Sequence, residues 1–201
     1  MKIKAFAAVL MAGVMAAAMA VTGFAAGNAG PGAAGAGQKL PAFRYVDDAP
    51  YMNAILDYMT ETEARNFEAG DVMIPNFVIM GTDETNPDDI KVWGNFWVMN
   101  YDLEGDNLMM KNGGENPGLL HLKKTGTGYT VTGADMVGDG SNNAPDARRI
   151  FGTDEKLMRF YQNQDLVVDR NRADTIRRYV IRNGLNINSF QDYGWDKVML
   201  K

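Results

Sequence analysis

The spacing of apolar residues changes several times along this chain, and each change marks a predicted element. Residues 5–21 are a run of Ala, Met, Val, Leu and Phe interrupted only by Gly13. Residues 27–38 hold almost no apolar bulk and are mostly Gly and Ala. Tyr51, Met52, Ile55, Tyr58 and Met59 then fall on one helical stripe. Asp47 or Asp48 is placed to cap that helix, Pro50 suits its first turn, and Gly70 bounds its end.

From residue 72 the period shortens. Residues 72–80, 90–103, 108–111, 119–124 and 129–137 are rich in β-branched and aromatic residues. Between them lie Asn-Pro-Asp-Asp, Gly-Gly, Asn-Pro-Gly and Gly-Thr-Gly turn signals, the pattern of an antiparallel meander. Gly94, inside the longest run, predicts a bulge or bend. After Gly140 the helical period returns over residues 146–151, 154–164 and 170–183, the last stopped by Gly184. The tail carries Tyr193 and Trp195 and is expected to pack back on the domain. A helix, then strands, then helices is an α+β order: an N-terminal helix packed on a curved antiparallel sheet, followed by C-terminal helices.

Composition sharpens the picture at the N-terminus. Lys2 and Lys4 precede the apolar run, and small residues at Gly23 and Ala25 follow it. A basic head, an apolar middle and a small-residue cut site form a secretory signal peptide, assigned here to residues 1–26. The run of about 17 residues is short of the roughly 20 needed to span a bilayer. Residues 27–40 read as a flexible Gly/Ala-rich linker and 41–201 as a single domain, expected to be secreted and free of the membrane after cleavage. The chain has no cysteine, which excludes disulfides, thiol nucleophiles and thiolate metal sites. Its net charge of −5 disfavours nucleic acid as a partner. Residues 47–106 hold 14 acids and two bases, whereas 107–201 hold 14 bases and 11 acids. Two solvated faces that partly neutralise each other within the fold are the expected reading of this asymmetry, and a bipolar surface that recognises a partner is the alternative.

A series of short motifs runs from residue 77 to residue 151. Gly81-Thr82-Asp83-Glu84 closes an apolar strand, a second strand runs from Val92 to Tyr101, and Lys123 to Val131 reads Lys-Lys-x-Gly-x-Gly-Tyr-x-Val. Asp139-Gly140-Ser141 follows, and Ile150-Phe151 closes a short helix. In order and spacing the series resembles a group of extracytoplasmic domains of Gram-positive bacteria, some attached to or encoded near membrane metallopeptidases of the β-lactam-sensor type. Asn142-Asn143 stands where that group often has an aromatic pair, and Gly152 where it tends to have Pro. The resemblance implies a cystatin-like or nuclear-transport-factor-like cone, and it brings no catalytic residues.

Candidate chemistry is sparse. His121 is the single histidine, so any histidine base must be this one, and strand alternation puts it on the face of Leu119 and Lys123. Trp93, Phe96 and Trp97 are candidates to line a ligand cavity on the sheet, or else its plain core. The oxygen-rich stretch at Asp139–Asp146 lacks the glycine and bidentate glutamate of an EF-hand loop, so no metal and no cofactor is assigned. Asp83, Glu84, Asp88 and Asp89 read as a solvated hairpin tip. Arg170, Arg172, Arg177, Arg178 and Arg182 are interleaved with Asp165, Asp169 and Asp174, which predicts ion pairs within one helix rather than an anion clamp. With no recognised nucleophile or base motif, the balance favours a non-catalytic domain binding a partner protein or small ligand. An enzyme using a general base in the sheet cavity is the alternative.

Overall fold

The computed structural model describes residues 40–200, so the expected signal peptide and residues 27–39 of the linker lie outside it. Leu40, at the predicted end of the linker, is already buried in the core. Helix α1 (Met52–Thr62) forms on the predicted stripe, burying Met52, Ile55, Leu56 and Met59, and a 3-10 turn at Ala64–Asn66 extends it. Its N-terminus carries no side-chain cap; Asp48 instead pairs with Arg178, 3.0 Å away.

Eight strands form one mixed, curved sheet: β1 (Val72–Met73), β2 (Asn76–Asp83), β3 (Ile90–Glu104), β4 (Asn107–Gly114), β5 (Pro117–Thr125), β6 (Gly128–Met136), β7 (Ser189–Gln191) and β8 (Val198–Met199). The 15-residue β3 is its spine. On one edge β2 and then β1 pair with β3, and on the other β5 and then β4 do so. All pairings among residues 72–136 are antiparallel, as the turn spacing predicts. The sheet is not purely antiparallel, however: β7 runs parallel to β4, pairing Leu108 with Phe190, and β8 closes on β7. The register irregularity near Gly94 falls on the partner strand, between Ile79 and Gly81. Gly94 itself is needed for space, because a Cβ there would stand 2.9 Å from both the Val78 carbonyl and Phe96 Cζ.

β3 is buried almost throughout because both of its faces are covered. Val92, Phe96 and Val98 join Leu120 and Leu122 in the main core with α1. Trp93 points the other way, into a second core with Val137, Ala147, Ile150, Phe151 and Leu157. That second core is built by α2 (Asn143–Phe151) and α3 (Glu155–Gln162). Asp154 caps α3, accepting from the Lys156 and Leu157 amides. Helix α4 (Asp165–Arg182) contributes Ile176, Tyr179 and Val180 to the main core. Gly184, at φ 59°, ends it as predicted, and Leu185 N–H closes onto the Val180 carbonyl at 3.0 Å.

The arginines of α4 act mainly at long range. Only Arg177 pairs within the helix, with Asp174. Arg172, with a side chain 8 % exposed, donates to Tyr101 Oη at 2.8 Å and to Asp192 at 2.8 Å, locking the helix to the C-terminal segment. Across the sequence, the acidic first half and basic second half meet in pairs such as Asp48–Arg178, Asp88–Lys123 and Glu68–Lys111. The tail does return to the sheet, but Tyr193 and Trp195 are 91 % and 75 % exposed on the turn between β7 and β8.

Candidate functional site

A cleft of about 750 Å³ opens beside β2. Four stretches of chain build it. The floor is β2 from Phe77 to Thr82; one wall is Tyr45, Tyr51 and Met52; the other is Lys156 and Phe160 of α3 with Val167 and Arg178 of α4. Its volume lies in the range of small-molecule sites, roughly 300–1,000 Å³.

The walls are held by specific contacts. A Cβ on Gly81 would stand 2.8 Å from Leu157 Cδ2, so glycine there lets α3 sit down on β2. Asn171 donates to the Asn76 amide oxygen at 2.7 Å and to the Phe77 carbonyl at 3.1 Å, while Asn76 donates to the Val168 carbonyl at 3.0 Å. These bonds fix α4 against β2. The Arg178–Asp48 pair ties α4 to the stretch preceding α1.

The cleft keeps its tyrosines neutral. Burial, followed by the charge of Glu84, pushes the Tyr51 phenol up to about 12. Burial and then Asp48 raise Tyr45 further still, and the Phe77 backbone offsets part of that. Lys156 and Arg159 project from α3 with no ion pair among the described residues, and they border a second hollow of about 270 Å³ that shares Lys156, Phe160 and Val167 with the cleft. The site is therefore an apolar slot with cations on its helical rim and Glu84 at its opposite end.

Of the candidate site residues singled out in the sequence, Glu84 and Arg178 line the cleft, and the aromatic trio and His121 stand elsewhere. Phe96 is completely buried and meets Phe77 edge-on at 5.7 Å. Trp93 is buried in the second core, donating to the Ile150 carbonyl at 3.1 Å. Trp97 is half-buried, and its indole N–H has no hydrogen-bond partner among the described residues. None of the three lines the cleft. His121 is half-buried on the sheet face of Lys91 and Leu119, where Nδ1 lies 2.6 Å from Asp89 Oδ1. That Asp also stands 3.8 Å from Lys91, and Asp88 pairs with Lys123. The tip of the β2–β3 hairpin is thus solvent-exposed over residues 84–88, as expected, and is also tied to the sheet at its base. His121 and Asp89 form a dyad, yet neither lines the cleft.

Sequence reasoning missed the cleft because no single segment carries it. Its visible signal was Arg178, which belongs to the arginine series of the last helix. No family model, curated protein or solved structure matches the chain, so the site is read from its own chemistry.

Proposed function

We propose that this chain is a secreted, non-catalytic binding domain whose ligand occupies the cleft between β2 and helices α3 and α4. The observation that carries the reading is the cleft itself, apolar on its floor, with neutral tyrosines on one wall and, on the other, Arg178 paired to Asp48 and Lys156 without an ion pair among the described residues. Binding needs complementary surface and orienting polar groups, both present here. Catalysis by His121 would need a reacting group within hydrogen-bond reach of the imidazole, and the dyad stands outside the cleft. The partner is a protein or small molecule of the envelope or medium, with no role for nucleic acid. We read the helix on a curved sheet as a cone akin to the cystatin-like and nuclear-transport-factor-like domains that the motif series resembles. Among the described residues no helix is long and apolar enough to cross a membrane.

Two measurements test this. Protein recovered from the culture medium should begin at Ala26 or Gly27 on N-terminal sequencing; an intact Met1, or recovery only from membranes, would refute export. The cleft is tested with 1-anilinonaphthalene-8-sulfonate, an apolar anion suited to a slot rimmed by Lys156 and Arg178. Its fluorescence should rise and saturate at one equivalent on the natively folded protein. Val167→Glu, at a position 42 % exposed and therefore tolerant, should abolish the rise. His121→Ala should leave it unchanged and alter stability by no more than about 1 kcal/mol, the size of one partly exposed hydrogen bond. Loss of binding in His121→Ala with Val167→Glu unaffected would transfer the site to the dyad.

A further inference from the structure

The floor of the cleft is the outer edge of a β-strand, and among the described residues no strand lies beside that edge. β2 pairs with β3 alone, Phe77 opposite Phe96, Val78 opposite Asn95 and Ile79 opposite Gly94. The Phe77 carbonyl accepts from Asn171, which stands outside the sheet, so Phe77 turns its backbone groups away from β3. In an antiparallel pair this orientation alternates, and Ile79 turns outward as well. The register then slips at Met80 and resumes with Gly81 opposite Trp93, which makes Thr82 the next outward residue. The N–H and C=O groups of Ile79 and Thr82 thus face the cleft, and no group among the described residues bonds to them.

Exposed edges invite pairing with any other edge, and proteins usually blunt them. Here the blunting is partial. Asn171 closes the edge at Phe77, and the bulge at Met80 interrupts it. The stretch left open, Ile79 to Thr82, is about 13 Å long at 3.3 Å per residue. It is also recessed between Tyr51 and Met52 on one side and Phe160 on the other. A second copy could not bring its own β2 to this edge, since that strand lies at the bottom of the same slot. A single extended chain fits.

Resting on the binding reading above, we propose that the ligand is an extended peptide segment of a partner protein, which adds to β2 as a further strand. Main-chain bonds to Ile79 and Thr82 hold it, and its side chains alternate between the two walls. Those on one side meet Tyr51 and Met52; those on the other meet Phe160 and the cations Lys156 and Arg159, which select an acidic residue there. The recognised segment is therefore apolar in alternation, with an acid facing α3.

The test uses the mature full chain and phage-displayed random dodecapeptides, the strongest of which is resynthesised with single N-methyl groups along its backbone. An N-methyl group on an amide that faces β2 should weaken binding at least about tenfold, the equivalent of one hydrogen bond, and one on an amide facing away should have little effect. Amide exchange at Ile79 and Thr82 should slow in the complex. Lys156→Glu should weaken an acidic peptide about fivefold and reduce its salt sensitivity, as rim charges do. N-methyl sensitivity without alternation would overturn strand addition, as would protection of Ile79 through self-association seen by sedimentation. Failure to select any peptide, while the anilinonaphthalene probe still fills the cleft, would overturn the peptide and leave the binding site standing.

Discussion

Phe96→Ala is expected to cost about 3–5 kcal/mol of folding stability, the range for deleting a fully buried aromatic ring. The ring has no exposure, faces Phe77 edge-on and fills the space that Gly94 leaves open. Its removal leaves a cavity in the middle of the strand with which β1, β2, β4 and β5 all pair. Urea unfolding reads the effect as a lower midpoint at unchanged slope. A loss below about 1 kcal/mol would mean that the ring is not core. It would return Phe96, with Trp93 and Trp97, to the role of ligand-lining residues. The conservative Phe96→Leu keeps most of the volume and should cost clearly less.

Alkaline pH should unfold the protein cooperatively between about pH 10 and 12, the window set by its buried tyrosines. Burial pushes the Tyr101 phenol up to about 12 even though the neighbouring Arg172 pulls it down. Tyr51 rises to about 12 through burial and then Glu84, and Tyr179 to about 12 through burial. A phenol is charged when it loses its proton, so a raised value means that the folded state holds the proton longer than the unfolded chain. The stability these groups contribute is intact below pH 10 and is lost as pH rises toward 12. The losses add from one phenol to the next, against the modest margin of about 5–15 kcal/mol that holds an ordinary domain. Lys111 and Lys123, raised by their bonds to Glu68 and Asp88, act in the same direction. Circular dichroism and tyrosinate absorbance followed together check this. The two should change in one transition; a tyrosinate signal complete near pH 10 on an intact fold would contradict the burial of these rings.

The arrangement of Arg172, Tyr101 and Asp192 shows where sequence reasoning lost its grip. A row of arginines spaced among aspartates on one helix is the pattern of internal ion pairs, and Arg177 obeys it. Arg172 and Arg178 reach instead to Asp192 and Asp48, which are distant in the chain. Local spacing states which charges can meet within a helix; it does not state which face the core will claim. The same limit applies to Asp48, which suits a helix cap by position and is drawn away by Arg178. Helix α4 begins five residues before the predicted start because Asp165 to Arg170 carries no apolar stripe, and contacts such as Val168 with Asn76 hold that turn. Tyr193 and Trp195 are apolar enough to suggest packing, yet they project from a turn in which Gly194 takes φ 83°.

What the amino-acid order determined on its own is whatever rests on neighbours in the chain. The stripe of Met52, Ile55 and Met59 specifies α1, and the β-branched and aromatic runs bounded by turns specify the antiparallel strands. Asp154 sets the start of α3 through its side-chain carboxylate and Gly184 the end of α4 through its positive φ, and alternation alone put His121 beside Leu119 and away from the main core. Tertiary structure decided the rest. The parallel pairing of β7 with β4 joins a strand of three residues to one some 80 positions earlier, too short to carry a period. The split of β3 between two cores, which buries Trp93 and Phe96 in opposite directions, follows from α1 and α4 covering one face and α2 and α3 the other. The cleft exists because α3 and α4 settle on the edge of β2 but leave Ile79 to Thr82 open. No local rule encodes an unfilled space; it is fixed by the packing of the elements around it.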